Sequence, residues 1–374
     1  MRVAATTGEM PIVDCDVHPL IKDARLLEPY LSQTWRRHFE TRGIRMYARA
    51  RDRYNHPNRT YRLDALPASG GPAGSDPAYT LEHFLEPFGI TTAMLLPQEP
   101  YGVTVWGDAD AAGAFVRANN DYLLDNWVGH SDRYALAITV APHDPFEAAR
   151  EINRLGSQPG VIGVQLLLRE QMLGSRWFDP VYEAAVANNL PIVYHQSGNE
   201  GCYTSSLGPA GGIPRSYGER HVVLTQVGAA NITDLVVGGV FERFPELRVV
   251  MVEWGFSWLT ALLARLDHFW AADPGAAPLV KQPPSEYVAE HVTFTTQPLD
   301  EPDTKAELDA LFAIPNLDRM LLFSSDYPHY DTDDPSFIIK RIPRHLRPAV
   351  CYQNAVNTFG PKALRSLGEE AVTR

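Results

Sequence analysis

The chain has 374 residues, 45% of them hydrophobic and 10% aromatic, which is enough for one large α/β barrel with insertions or two ordinary domains. Its 33 basic residues against 45 acidic ones give a formal charge of -12, and no Lys/Arg run offers a phosphate-tracking surface, so nucleic acid is not an expected partner. No apolar stretch approaches a membrane span, the segment from Met1 to Met10 lacks a secretory core, and Cys15, Cys202 and Cys351 are odd in number and widely spaced; a cytoplasmic enzyme is expected.

The first strongly apolar run is Val13-Asp14-Cys15-Asp16-Val17-His18-Pro19. In a strand, residues two apart share a face, so Asp16 and His18 project side by side with Asp14 one step deeper, and Cys15 points away into core. A long polar region of about 20 to 80 follows, with one expected helix from Leu26 to Phe39. An insertion of that length after a first strand is expected to lie over a barrel mouth as a lid, with Arg45, Arg49, Arg51 and Arg53 available to an anionic substrate. An oligomer contact or a solvated loop fits the same composition.

From residue 81 strands and helices alternate. Expected strands run Thr91 to Pro97, Tyr134 to Val140, Ile162 to Leu168, Pro191 to His195, Arg248 to Glu253, His291 to Thr296 and Arg319 to Ser325. The helices are Leu81 to Phe88, Ala109 to Gly129, Pro145 to Leu155, Phe178 to Asn189, roughly 219 to 243, Phe256 to Trp270 and Thr304 to Phe312. A Gly-rich loop spans Gly198 to Gly218, and closing helices run from Pro335 to Leu367. Eight strands mostly alternating with helices predict a parallel (β/α)8 TIM barrel, one domain over 1–374.

Such a barrel gathers the C-terminal ends of its strands at one face. His195, Glu253 and Asp326 each end an apolar run, as do Asp16 and His18. Alone, an Asp-x-Asp-x-His is a weak signal, because acidic residues often close strands or cap helices. Together these groups form a strong one, a site for one or two divalent ions. Mixed oxygen and nitrogen ligands do not select sharply among zinc, manganese and iron.

The Asp-Cys-Asp-Val-His-Pro start, the run from Gly238 to Leu247, Glu253-Trp254-Gly255, Leu259 to Asp267 and Ser325-Asp326-Tyr327-Pro328-His329 resemble the amidohydrolase-related branch of the amidohydrolase superfamily. That branch includes relatives of aminocarboxymuconate-semialdehyde decarboxylase. The resemblance implies metal ligands at Asp16, His18, His195 and Asp326, the last also touching substrate and carrying a proton. The strand-six histidine of the characterised decarboxylases falls on Glu253, where a carboxylate ligates metal or holds a neighbouring group. His329 and, more distantly, His221 are the imidazoles available in its place. Trp106, Tyr194, Trp254, Trp258 and Tyr327 are candidates for an apolar substrate pocket, with Trp258 the weakest because it sits at helical spacing in a packed segment.

The expected reaction is hydrolysis of an ester, thioester, lactone or amide carbonyl of a small organic acid derivative by metal-activated water. The alternative is metal-dependent, non-oxidative decarboxylation of an aromatic or unsaturated carboxylic acid, with Asp326 protonating the carbon. A barrel that binds a ligand without catalysis is a third reading, disfavoured by the intact ligand set. A homodimer is the default assembly.

Overall fold

The computed structural model describes residues 10–42, 60–196, 214–300 and 302–368. Its frame is eight parallel strands in sequence order: β1 (Val13–Val17), β2 (Thr92–Leu95), β3 (Tyr134–Val140), β4 (Val161–Leu166), β5 (Ile192–His195), β6 (Val249–Val252), β7 (Val292–Thr295) and β8 (Leu321–Leu322). The sheet curls until its ends meet. Cys15 N–H donates to Phe323 O at 2.9 Å and His18 N–H to Tyr327 O at 2.8 Å, with Val17 bridging Tyr327 in parallel, which makes the (β/α)8 barrel.

Side chains alternate across the barrel wall. Val13, Cys15, Met94, Leu96, Ala135, Ala137, Val193, Val250, Val252 and Leu322 form the inner filling, so Cys15 is core as expected. Phe359 and Leu364, from the C-terminal helices, plug the bottom of that filling. Arg365 and Ser366 donate to Val128 O and Thr91 O, just before β3 and β2, and fix the plug. Asn354 donates to Asp318 O and Leu321 O and ties the C-terminal helices to β8. Cys351 is buried, and burial pushes its thiol up to about 12.

The helices begin where the sequence supplies caps. Asp144 accepts from the N–H groups of Phe146 and Glu147, with Pro145 in the first turn, and Thr304 and Glu307 form a capping box. Two expectations are corrected. The helix from Leu26 to Phe39 is two pieces, a 3₁₀ segment at Ala24–Tyr30 containing Pro29 and an α-helix at Gln33–Arg42, because Leu31 between them is extended. The last strand is only Leu321–Leu322, since Leu317–Met320 is helical.

Of the insertion, the part from Thr60 onward is laid against the loop after β8. Tyr61 bridges His329 antiparallel, Arg62 N–H donates to Pro328 O at 3.0 Å, and Tyr330 N–H donates to Thr60 O at 2.8 Å. Arg45, Arg49, Arg51, Arg53, Cys202 and most of the Gly-rich loop lie outside the described residues. Among the described residues no helix is long and apolar enough to cross a membrane.

Candidate metal centre

The pairing of β1 with β2 shifts register between Asp14 and Val17. Asp14 therefore does not extend the row expected for it: its Oδ1 accepts from the N–H groups of Asp16 and Ser325, at 3.2 and 3.0 Å. Burial pushes its carboxyl up to about 7 against those hydrogen bonds. Asp16 and His18, past the shift, face His195 and Asp326.

Each imidazole is oriented from behind. His18 Nδ1 lies 2.8 Å from Leu96 O, and His195 Nδ1 lies 2.5 Å from Gln196 O. A carbonyl only accepts, so both Nδ1 atoms carry the hydrogen and both Nε2 atoms turn lone pairs to the centre. His18 Nε2 is then 3.2 Å from Asp16 Oδ1 and 2.8 Å from Asp326 Oδ1. His195 Nε2 is 3.7 Å from Asp16 Oδ2 and 3.1 Å from Glu253 Oε2.

Acceptors facing acceptors are what a cation satisfies. Ligand atoms of Asp16, His18, His195 and Asp326 lie within 4.8 Å of one another, all four residues buried. Both Asp16 oxygens, His195 Nε2 and Glu253 Oε1 are buried without a hydrogen bond. Leaving such atoms unsatisfied is costly, so the donor set fits a divalent ion. Burial raises Asp16 above the usual carboxylate range, with His195 opposing and Glu253 reinforcing. Burial would lower His195, but the neighbouring Asp16 and Glu253 raise it instead. Burial would raise Glu253, but the neighbouring His195, His221 and Gln196 outweigh it and hold the carboxyl below its ordinary range, which keeps it ionised.

Glu253 and Asp326 share an unusual backbone, with φ of +66 and +64. Left-handed conformations at non-glycine residues cost about 1–3 kcal/mol each, and the surrounding structure must hold them. Here they turn both carboxylates toward the barrel mouth, where Glu253, Asp326 and His329 also form a ligand-spaced group. His329 Nδ1 lies 2.8 Å from either oxygen of Asp326. His221 reaches the rim, its Nε2 3.9 Å from Glu253 Oε1 and its side chain 19% exposed.

Two of the aromatic candidates for substrate contact are placed otherwise. Trp254 is buried, stacks on Tyr194 at 4.7 Å, donates its indole N–H to Tyr194 O at 2.9 Å and lies against Gly228. Tyr327 stacks on Phe84 at 4.0 Å. Both rings serve the barrel wall because each adjoins, along the chain, a residue that faces inward. Trp254→Ala is expected to cost about 3–5 kcal/mol in chemical denaturation, the range for a buried tryptophan. Trp106 packs between Phe39 and Phe115, and Trp258 donates to Trp254 O.

Several polar residues of the site are not titratable, so the pattern of acids and imidazoles does not point to them. Gln98 and Gln196 each follow a strand end closely, which is the signal that finds them. Gln165 donates to Tyr101 Oη, and Tyr101 Oη is 2.9 Å from His195 Nδ1.

The fold has known counterparts. The chain is 25% identical over 294 residues to a gamma-resorcylate decarboxylase of Polaromonas sp., covering 74% of this chain and 85% of that protein. It superposes on 5-carboxyvanillate decarboxylase of Sphingomonas paucimobilis with a TM-score of 0.67 at 23% identity, over 94% of this chain and 99% of that one. The 5-carboxyvanillate decarboxylase of Novosphingobium aromaticivorans, solved with manganese and 4-hydroxy-3-methoxy-5-nitrobenzoic acid, gives 0.68 at 20% identity, over 94% and 97%. At these identities the two structures establish the fold. All three proteins are decarboxylases, and this overturns the hydrolysis of a carbonyl expected from the sequence: a metal ring of this kind is common to both chemistries and does not choose between them. The amidohydrolase family model matches residues 13–360, and the chain is therefore an enzyme of the amidohydrolase superfamily, belonging to its amidohydrolase family.

Proposed function

We propose that the chain is a metal-dependent, non-oxidative decarboxylase of an aromatic carboxylic acid carrying a hydroxyl next to the carboxylate. The observation that carries this reading is Asp326, buried between His18 and His329 at the edge of the ligand ring. The hydroxylated benzoates named for the relatives support the substrate class. Asp16, His18, His195 and Asp326 would hold the ion; the manganese in the Novosphingobium enzyme favours that metal over zinc or iron. A bound divalent ion supplies positive charge to the carboxylate and its neighbouring oxygen.

Protonated Asp326 is the general acid. As the bond from ring carbon to carboxylate breaks, its electron pair stays on the carbon and takes the proton of Asp326, and CO₂ departs. His329 Nδ1–H then stabilises the carboxylate left behind. Glu253 is ionised and would repel a substrate carboxylate, so it serves beside the hydroxyl, whose hydrogen it accepts. We assign the segment 20–80 as a lid of a single 1–374 domain, supported by the pairing of Tyr61 with His329. A homodimer belongs to the same reading, supported by helix Leu259–Ala272, where only Leu259 is buried and Phe269 is 58% exposed. So does a cytoplasmic location, supported by the free, buried Cys15 and Cys351.

Manganese-loaded enzyme is expected to release CO₂ from 2,6-dihydroxybenzoate or 5-carboxyvanillate and none from unsubstituted benzoate. No CO₂ from any hydroxybenzoate in such a panel would overturn the assignment.

A further inference from the structure

His329 meets Asp326 through Nδ1 and turns its other nitrogen away from the metal ring. There Nε2 lies 2.9 Å from Nε2 of Gln98. The opposite end of that amide, Gln98 Oε1, accepts the hydroxyl of Tyr61 at 3.0 Å. All four side chains are buried. The Tyr61 hydroxyl donates to the amide oxygen, so the end of Gln98 that meets His329 is an N–H; Nε2 must then accept, and the neutral ring carries its hydrogen on Nδ1, facing Asp326. Every bond in the series has one consistent direction, from Tyr61 through Gln98 and His329 to Asp326.

We propose that Gln98 is a positioning residue that locks neutral His329 in its Nδ1–H tautomer. In the other tautomer His329 would turn a lone pair toward Asp326 and compete with the substrate carbon for the proton that Asp326 must deliver. The locked ring can only donate, so it stabilises the carboxylate that proton transfer leaves. Tyr61 completes the lock from the insertion, because its backbone pairs with the turn that carries His329. The catalytic consequence rests on the decarboxylase reading; the tautomer itself does not.

The test uses ¹⁵N-histidine-labelled, zinc-loaded enzyme, whose ion is diamagnetic, and the variants Gln98→Met, which keeps the volume, and Gln98→Glu, which offers an acceptor instead of a donor. Wild type is expected to show His329 Nε2 without hydrogen, and Gln98→Glu to show it protonated. In manganese-loaded enzyme kcat should fall on the order of 10- to 100-fold in both variants, as for other residues that orient a catalytic group, with KM and metal content unchanged. A wild-type ring carrying its hydrogen on Nε2, or a Gln98→Met enzyme with wild-type kcat, would overturn the lock. Should wild type decarboxylate nothing, the reaction reading fails, and the ring-nitrogen spectra of wild type and Gln98→Glu still decide the tautomer.

Discussion

Asp326→Asn is expected to lower kcat for decarboxylation by ~10³-fold, about 4 kcal/mol of barrier, within the 10² to 10⁴ that general acids supply. Asparagine has the shape of aspartate and keeps an oxygen for the cation and for His329 Nδ1–H, but it has no proton to give. It also tolerates the left-handed backbone, φ +64, better than any replacement except glycine, so the fold should survive. The measurement is steady-state CO₂ release beside a thermal melt. A variant that melts like wild type and turns over within tenfold of it would remove Asp326 from proton transfer.

The expected loss is large because, among the described residues, neither imidazole beside Asp326 takes over its proton transfer. His18 Nε2 faces the ligand ring, and His329 Nε2 is committed to Gln98. Neither imidazole has a hydrogen aimed at the substrate side of Asp326.

Why the ring was legible in the sequence, while its supports were not, follows from what each depends on. Asp16, His18, His195 and Asp326 sit at the ends of apolar runs, and barrel topology alone sends strand ends to one face. The alternation of strands with capped helices, Asp144-Pro145 being one case, made the barrel itself legible. Trp254 and Tyr327 misled because adjacency to a site residue in a strand means the opposite side of the wall. Gln98 follows the end of β2 closely, but it does not titrate and its partner is 231 residues away, so its place beyond that strand end is the one trace of it in the sequence. The reaction is not legible in the sequence for a different reason. Hydrolysis and decarboxylation draw on the same cation and the same aspartate, so the ligand pattern could not separate them.

The second large effect concerns the ion. Asp16 contributes two buried oxygens without hydrogen bonds, and His195 contributes a buried Nε2 in the same condition. Removing both takes away half of the four-residue ring. It also removes buried polar groups that are unsatisfied without a cation, so the metal-free variant should fold at least as well as the metal-free wild type. Decarboxylation should fall with the metal, and added manganese should restore little of it.

Elemental analysis of dialysed wild-type and Asp16→Ala/His195→Ala protein, both shown by circular dichroism to be folded, tests the shared cation site most directly. Wild type should retain a divalent metal, and the double variant should retain less than about a tenth as much, since loss of even an outlying support typically weakens binding 10- to 100-fold. Equal metal content in the two proteins would contradict the account, because the ion would then be held somewhere other than among Asp16, His18, His195 and Asp326.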